Sequence, residues 1–218
     1  MSSNSKVTII GSGNMARGIA TRFLAGGTSV TLVGRSPEKV GDLAAQLRGA
    51  AKNGATVDTA SYGSTVGSEV VVLAVPYPAD VSVVKEYGAK LNGKTVVSIS
   101  TPFNATYDGL ATPPDTSAAE EVAKAASSGA KVVKGFNTNF AGMLVAGRVA
   151  GQPLDVFIAG DDAGAKAALA KLLEASGLRP LDAGPLQRSR QLEGLHLINA
   201  GLQSHLDKPW MNAIKFLS

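Results

Sequence analysis

The chain of 218 residues contains no cysteine, which excludes disulfides, thiolate metal sites and a cysteine nucleophile, and no metal site is predicted. Its formal net charge of +4 is scattered along the sequence and aromatic residues make up only 5%, so we predict no nucleic-acid binding. The apolar runs are too short to span a membrane and the first residues, MSSNSK, lack the apolar stretch of a signal peptide, so we expect a cytoplasmic protein that does not bind membranes.

Strand and helix patterns alternate six times within the first 136 residues. Short apolar runs predict strands, and apolar residues recurring every three or four positions predict helices. The predicted strands are 6–10, 29–34, 55–59, 69–75, 94–100 and 130–136, and the predicted helices are 14–25, 36–50, 79–91 and 116–128. This alternation is typical of the Rossmann-type α/β fold, a doubly wound, mainly parallel sheet with helices on both faces.

The alternation of strand and helix patterns continues towards the C-terminus. Strands are predicted at 154–160 and 178–184, with a helix at 161–176 between them. A last helical element runs from about residue 185 to 206 and carries one apolar stripe, which consists of Leu192, Leu195, Ile198, Leu202 and Leu206. We predict a dinucleotide-binding domain at 1–135 and a smaller C-terminal α/β part at 136–218 that packs directly against it.

The turn between the first strand and the first helix reads G-x-G-x-x-A. Gly11 permits the tight turn, Gly13 lets a pyrophosphate approach the backbone, and Ala16 allows the helix to lie close to the strand. The phosphates would then meet backbone N–H groups and the positive end of the helix dipole. The alternative is a tight turn without a ligand. The predicted cofactor contacts at this turn are Gly11, Ser12, Gly13, Asn14 and Met15.

The end of the second strand indicates which dinucleotide binds. An NAD site usually has an Asp or Glu here for the ribose 2′-OH, but this chain has Arg35 and Ser36, with Lys39 one turn into the helix. A guanidinium can bind a 2′-phosphate through two parallel hydrogen bonds, while Ser36 also suits the N-cap of the helix. The pattern therefore favours NADP over NAD. The alternative is that Arg35 is a solvated loop charge.

Two further segments lie where parallel strands end. Ligands of such sheets bind beyond the carboxyl ends of the strands. AVPYP follows the fourth strand and GFNTNF closes the sixth, so either segment can contact the nicotinamide or serve only as a strand terminator. The predicted cofactor contacts here are Ala74, Val75, Pro76, Asn137 and Thr138.

The sequence offers few candidates for a catalytic acid or base. His196 and His205 lie nine residues apart and on opposite sides of the last helix, so each is expected at the surface or an interface. Asn199 falls within the apolar stripe, where it either makes structural hydrogen bonds or contacts the substrate. The scarcity of candidate acids and bases favours a reaction that needs neither from the protein, such as hydride transfer between two bound ring cofactors.

Several segments together resemble the F420-dependent NADP oxidoreductase family. They are IIGSGNMARGIA, LVGRSPEK, VVLAVPYPA, VSISTPFN, KVVKGFNTNFA, DVFIAGDD and LRPLDAGPLQRSRQLEGL, in the family's order. The resemblance implies a homodimer that transfers hydride between NADPH and the deazaflavin F420 in a cleft between the two parts. It also implies that Arg35, Ser36 and Lys39 hold the 2′-phosphate, and that 74–76 and 137–138 lie near the nicotinamide. Some relatives use flavins, so FMN or FAD is the other candidate acceptor.

Two other functions remain open at this stage. The chain could be an NADPH-dependent reductase of a small imine or carbonyl compound, or a non-catalytic NADP(H) sensor. GSGNMA is also similar to pyrroline-5-carboxylate reductases, whose Rossmann domain is followed by a long all-helical dimerisation domain. The β/α units predicted as far as residue 184 argue against that family.

Overall fold

The computed structural model describes residues 5–217. Its strands are β1 (Lys6–Ile10), β2 (Ser29–Gly34), β3 (Val57–Ser61), β4 (Val70–Leu73), β5 (Thr95–Ser98), β6 (Lys131–Lys134), β7 (Arg148–Val149), β8 (Gln152–Pro153), β9 (Asp155–Gly160) and β10 (Arg179–Asp182). Its α-helices are α1 (Asn14–Ala25), α2 (Pro37–Leu47), α3 (Tyr77–Tyr87), α4 (Ala118–Ala125), α5 (Ala141–Ala146), α6 (Ala163–Ala175) and α7 (Ser189–Gly201).

Eight strands form one sheet in the order β10-β9-β6-β5-β4-β1-β2-β3, while β7 and β8 form a separate hairpin. β9 pairs with β6 in the antiparallel direction, and the other neighbouring strands of the large sheet are parallel. The predicted Rossmann-type α/β fold is confirmed. The sequence patterns missed only short elements, namely α5 and the hairpin.

Alternate side chains of the central strands pack on opposite faces of the sheet. Ile9 of β1 belongs to the core on the α1 side, where it is joined by Phe23. Ile10 belongs to the core on the α3 side, which contains Val83 and Tyr87. This two-sided burial explains why the central strands read as nearly continuous apolar runs.

The antiparallel strand β9 extends the sheet beyond the carboxyl end of β6. Val133 pairs with Gly160 and Lys134 with Ala159, so the first residues of β9 lie past the last residue of β6. The Nδ2 atom of Asn139 donates a hydrogen bond of 2.9 Å to the carbonyl of Asp155 in this projecting part. The carboxyl edge of the parallel strands is therefore bordered by β9 on one side.

The last long helix turns an unexpected face to the protein. Leu192 of the apolar stripe is buried, but Ile198 and Leu202 are 64% and 48% exposed. The buried residues of this helix include Glu193 and His196. α7 ends at Gly201, and a short 3₁₀ turn, Leu202–His205, follows it. Glu193 faces inward because it pairs with a buried lysine, as described below.

Candidate functional site

The two glycines of the opening turn are needed for different reasons. Gly11 has φ +135°, and a Cβ atom there would lie 2.0 Å from the carbonyl oxygen of Ala74. Gly13 has φ −87°, which any residue can adopt, and a Cβ atom there would have no neighbour within 4 Å. Gly11 is therefore required by the fold, whereas the bare backbone at Gly13 leaves open space in front of α1. This is the cradle that a pyrophosphate needs.

The residues predicted to recognise the 2′-phosphate lie beside this turn. The Ser36 hydroxyl oxygen caps α2 by accepting a hydrogen bond of 3.4 Å from the Lys39 amide. The guanidinium carbon of Arg35 lies 5.5 Å from the ring centroid of Tyr62, so the ring supports the charge through a cation–π contact. A cavity of about 470 Å³ is lined by Gly11, Ser12, Gly13, Arg35, Ser36, Lys39, Ala74, Val75 and Pro76, among others.

A second cavity of about 440 Å³ adjoins the first, and Gly13, Ala74, Val75 and Pro76 line both. We call it the aromatic cleft. Its other lining residues are Asn14, Met15, Tyr77, Ile99, Ser100, Thr101, Phe103, Asn137, Asn139, Phe140, Ala141, His196 and Trp210. Among the described residues, this lining contains no Lys, Arg, Asp or Glu. Thr138 is buried next to Asn137 and is not part of either lining.

Aromatic rings form one wall of the aromatic cleft. The imidazole of His196 lies 5.5 Å from the ring of Phe103 and 5.2 Å from that of Phe140. The indole of Trp210 meets Phe140 edge to face, with centroids 5.2 Å apart. Such a wall provides flat apolar surface for a planar ligand.

Of the two positions expected for His196, the surface or an interface, the surface is wrong, because the residue is only 9% exposed and lines the aromatic cleft. Burial, together with the nearby charge of Lys134, lowers the pKa of His196 to about 4, so the imidazole is neutral at pH 7. His205 is exposed, as expected. Asn199 is buried, and its Nδ2 atom has no hydrogen-bond partner among the described residues.

A buried charge pair that the sequence patterns did not reveal lies behind the aromatic cleft. The Lys134 amine is 2.6 Å from the Glu193 carboxylate, and both side chains are fully buried. Lys134 also donates to the carbonyl of Ser100, and Glu193 accepts from the Ala118 amide at the start of α4. The only sequence signal was a lysine at the end of the apolar strand VVK, which resembled an ordinary exposed strand end.

Asp80 is a second buried charge that the sequence did not reveal. Its side chain is fully buried, and neither carboxyl oxygen has a hydrogen-bond partner among the described residues. Burial raises its pKa to about 7, opposed by the nearby Ser100 hydroxyl and Lys134 amine.

In the described part of the chain, no three His, Asp or Glu side chains cluster to hold a metal ion. No helix there is long and apolar enough to cross a membrane.

The parallel sheet, the glycine turn and the cavities at the carboxyl ends of the strands define the class as a Rossmann-type oxidoreductase fold. The family model described as "NADP oxidoreductase coenzyme F420-dependent" matches residues 6–102. The chain is 30% identical to the F420-dependent NADP reductase of Methanocaldococcus jannaschii over 208 residues, covering 90% of this chain and 92% of that protein.

Two further similarities extend the comparison. A solved structure from Arthrobacter sp. FB24, provisionally named an F420-dependent NADP-reductase, has a TM-score of 0.79 and 27% identity, covering 93% of this chain and 95% of that chain. The rat metalloreductase STEAP3 is 30% identical over 202 residues, but the match spans 88% of this chain and only 36% of that longer protein. The chain belongs to the F420-dependent NADP oxidoreductase family. It is accordingly an NADP-dependent oxidoreductase.

Proposed function

We propose that this protein transfers hydride between NADP(H) and a planar ring acceptor, F420 or a flavin such as FMN or FAD, bound in the aromatic cleft. The observation that carries this proposal is the composition of the cleft, which adjoins the glycine turn and has aromatic walls without a charged side chain among the described residues. A flat, mostly apolar ring fits such a site, whereas a small anionic substrate would lack a counter-charge.

The cofactor contacts that we propose follow the two adjoining cavities. Backbone amides from Ser12 to Met15 bind the pyrophosphate, and Arg35, Ser36 and Lys39 bind the 2′-phosphate. When bound, NADPH supplies the hydride from its nicotinamide ring. The open space at Gly13 and the cations Arg35 and Lys39 in the lining of the first cavity support this arrangement.

Residues at the strand ends would position the nicotinamide. We propose that 74–76 form its support on one side, and Asn137 on the other, next to Thr138, which is buried and lines neither cavity. The Nδ2 atom of Asn137 donates to the carbonyl of Leu192 at 2.9 Å, which leaves its buried Oδ1 without a partner among the described residues. That oxygen can accept a hydrogen bond from a carboxamide N–H.

The aromatic cleft lies between two parts of the chain, as a division into 1–135 and 136–218 would require. Pro76, Ser100 and Phe103 come from the first part, and Phe140 and His196 from the second. None of these side chains is an acid or base that is charged at pH 7, so their role would be to orient two rings and exclude water.

An acceptor screen tests the proposed function. The purified protein is mixed with NADPH and with F420, FMN or FAD, and the loss of NADPH absorbance is followed. We expect rapid oxidation of NADPH with at least one of these acceptors and slower oxidation of NADH. Tight NADPH binding without turnover of any acceptor would instead indicate a sensor protein.

A reductase of a small imine or carbonyl compound is the second candidate, because the unpartnered Nδ1 of His196 lies at the aromatic cleft. The two functions differ in what His196→Gln does. Hydride transfer between rings should survive this change with an unaltered pH profile. A reductase that uses the imidazole as proton donor should lose most of its turnover.

We also propose that the protein is a cytoplasmic homodimer. Exposed apolar side chains on and after α7, namely Ile198, Leu202 and Leu206, support a dimer because large apolar groups on one surface favour association. Light scattering of the wild type and of Leu202→Asp tests this. A monomeric wild type would contradict the dimer, and fractionation of the source cells tests the compartment.

A further inference from the structure

The last described segment, 207–217, forms a strap that contains no helix or strand and contributes Trp210 to the lining of the aromatic cleft. Its near end is tied to Gln203, which is 4% exposed. The Oε1 atom of Gln203 accepts hydrogen bonds from the Trp210 amide at 2.5 Å and from the Asn212 Nδ2 at 2.8 Å. Its Nε2 atom donates to the carbonyl of Asn199 at 2.6 Å. One buried amide therefore connects the strap to the last turn of α7.

The far end of the strap is tied to the projecting end of β9. The fully buried carboxylate of Asp155 accepts a hydrogen bond of 3.0 Å from the Phe216 amide and one of 2.5 Å from the Lys215 amine. Arg179 holds the same carboxylate through two bonds of 2.7 Å. Two separate anchors thus fix the course of the strap between them.

The middle of the strap lies close against α5. A Cβ atom at Gly142 would be 2.8 Å from the Sδ atom of Met211. Trp210 itself has φ +63°, a left-handed conformation that is strained for a bulky residue. Strain of this kind persists where the surroundings fix it, and it is concentrated at ligand sites. The anchors on both sides provide that constraint.

The strained residue presents the largest ring of the chain to the aromatic cleft. The indole and the Phe140 ring are nearly perpendicular, with 89° between their planes, so Phe140 is not stacked on the indole and at least one indole face is free of this ring. The side chain is 54% exposed although it lines a cleft. We propose that Trp210 is an acceptor-binding residue that stacks on the acceptor ring, and that Gln203 is the residue that positions it. This inference rests on the proposed ring acceptor.

Trp210 is the only tryptophan, so its fluorescence reports this site directly. Wild-type protein saturated with NADP⁺, which does not absorb the emission, is titrated with the acceptor that the wild type reduces, F420 or FMN. We expect quenching that saturates as the acceptor binds. Trp210→Leu should raise the KM for this acceptor about tenfold, as expected for the loss of one ring stack and its apolar contact area. Trp210→Phe should raise it less, and the KM for NADPH should stay the same.

Variants of Gln203 test the positioning while retaining the tryptophan. Gln203→Leu removes both bonds to the strap, so we expect a red-shifted emission of the free protein and a raised KM for the acceptor. Gln203→Glu keeps the oxygen that accepts from the strap but loses the donor to the Asn199 carbonyl, so it should show a change in both that is smaller than in Gln203→Leu. Thermal unfolding of each variant verifies that the protein is folded.

The outcomes separate this inference from the proposed function. Failure of the wild type to oxidise NADPH with any of F420, FMN and FAD would overturn both. Turnover by the wild type, combined with an unquenched Trp210 or with an unchanged acceptor KM in Trp210→Leu, would overturn the inference alone. An equal rise in the KM for NADPH would also overturn it, since Trp210 would then belong to the nicotinamide site.

Discussion

The Lys134 amine and the Glu193 carboxylate are 2.6 Å apart and fully buried, and their contact joins the end of β6 to α7. Glu193 lies one helical turn before His196, which lines the aromatic cleft. The ion pair therefore fixes which face of α7 meets the cleft. Burial lowers the pKa of Lys134 and raises that of Glu193, while their mutual attraction opposes both shifts.

Removal of one partner of this pair should be strongly destabilising. We expect Lys134→Met to lower the free energy of unfolding by about 3–5 kcal/mol, because Glu193 is left as an uncompensated buried charge. The double variant with Glu193→Gln should recover part of the loss, since the amide is uncharged and its Oε1 still accepts from Ala118. Urea denaturation measures both. Lys171→Met at an exposed position is the control, and an equal effect there would contradict the prediction.

Asp80 should make stability depend on pH. Burial raises its folded-state pKa to about 7 from 3.8, so the folded protein binds a proton that the unfolded chain releases. The contribution of Asp80 is thus greatest at low pH and is lost as the pH rises through about 7. The surrounding charged groups are Lys134, Glu193 and Glu121.

Asp80→Asn should remove this dependence while keeping the shape of the side chain. We expect the gain in unfolding free energy of the variant over the wild type to be larger at about pH 8 than at about pH 5. Urea denaturation of both proteins at the two pH values measures it. The same difference at both pH values would show that Asp80 does not titrate between them.

The two glycines of the opening turn should respond differently to alanine. Gly11→Ala places a Cβ atom 2.0 Å from the Ala74 carbonyl oxygen at φ +135°, so we expect a marked fall in the unfolding temperature. Gly13→Ala meets no atom within 4 Å and should fold as stably as the wild type, yet bind NADPH more weakly. Thermal unfolding and NADPH titration distinguish the two effects. Unaltered NADPH affinity in Gly13→Ala would mean that the pyrophosphate does not approach this turn.

Arg35 should determine the choice of cofactor. Arg35→Ala should reduce the preference for NADPH over NADH at least tenfold, since a charge-assisted hydrogen bond contributes about 1.5–3 kcal/mol. Arg48→Ala, an exposed arginine at the end of α2, is the matched control. The affinities are measured by titration with each dinucleotide, and equal affinity of the wild type for both would reject the role of Arg35 and Ser36.

Features set by neighbouring residues could be predicted from the sequence. The order of strands and helices in the first part, and the N-cap at Ser36, follow from local patterns and are confirmed. The orientation of α7 could not be predicted in this way. Its apolar stripe indicated one buried face, but the face is chosen by a charge pair whose members are 59 residues apart.

The direction of β9 and the course of the strap could not be predicted from the sequence either. An antiparallel strand buried on both faces has the same apolar pattern as a parallel one, so DVFIAG carried no sign of its reversal. The strap lacks periodicity because hydrogen bonds to Gln203 and Asp155, rather than an apolar face, hold it in place. Its part in the site becomes visible only in three dimensions.

Because Lys134 belongs to the first part of the chain and Glu193 to the last, the polypeptide should not divide between them into two fragments that fold independently. A fragment that stops before α7 would bury the Lys134 ammonium group without its ion-pair partner Glu193, so it should be recovered folded only when co-produced with the missing piece. Circular permutation keeps Lys134 and Glu193 in one chain. New termini are therefore best opened at the turn of the β7–β8 hairpin, where the exposed Gly151 has open space around it.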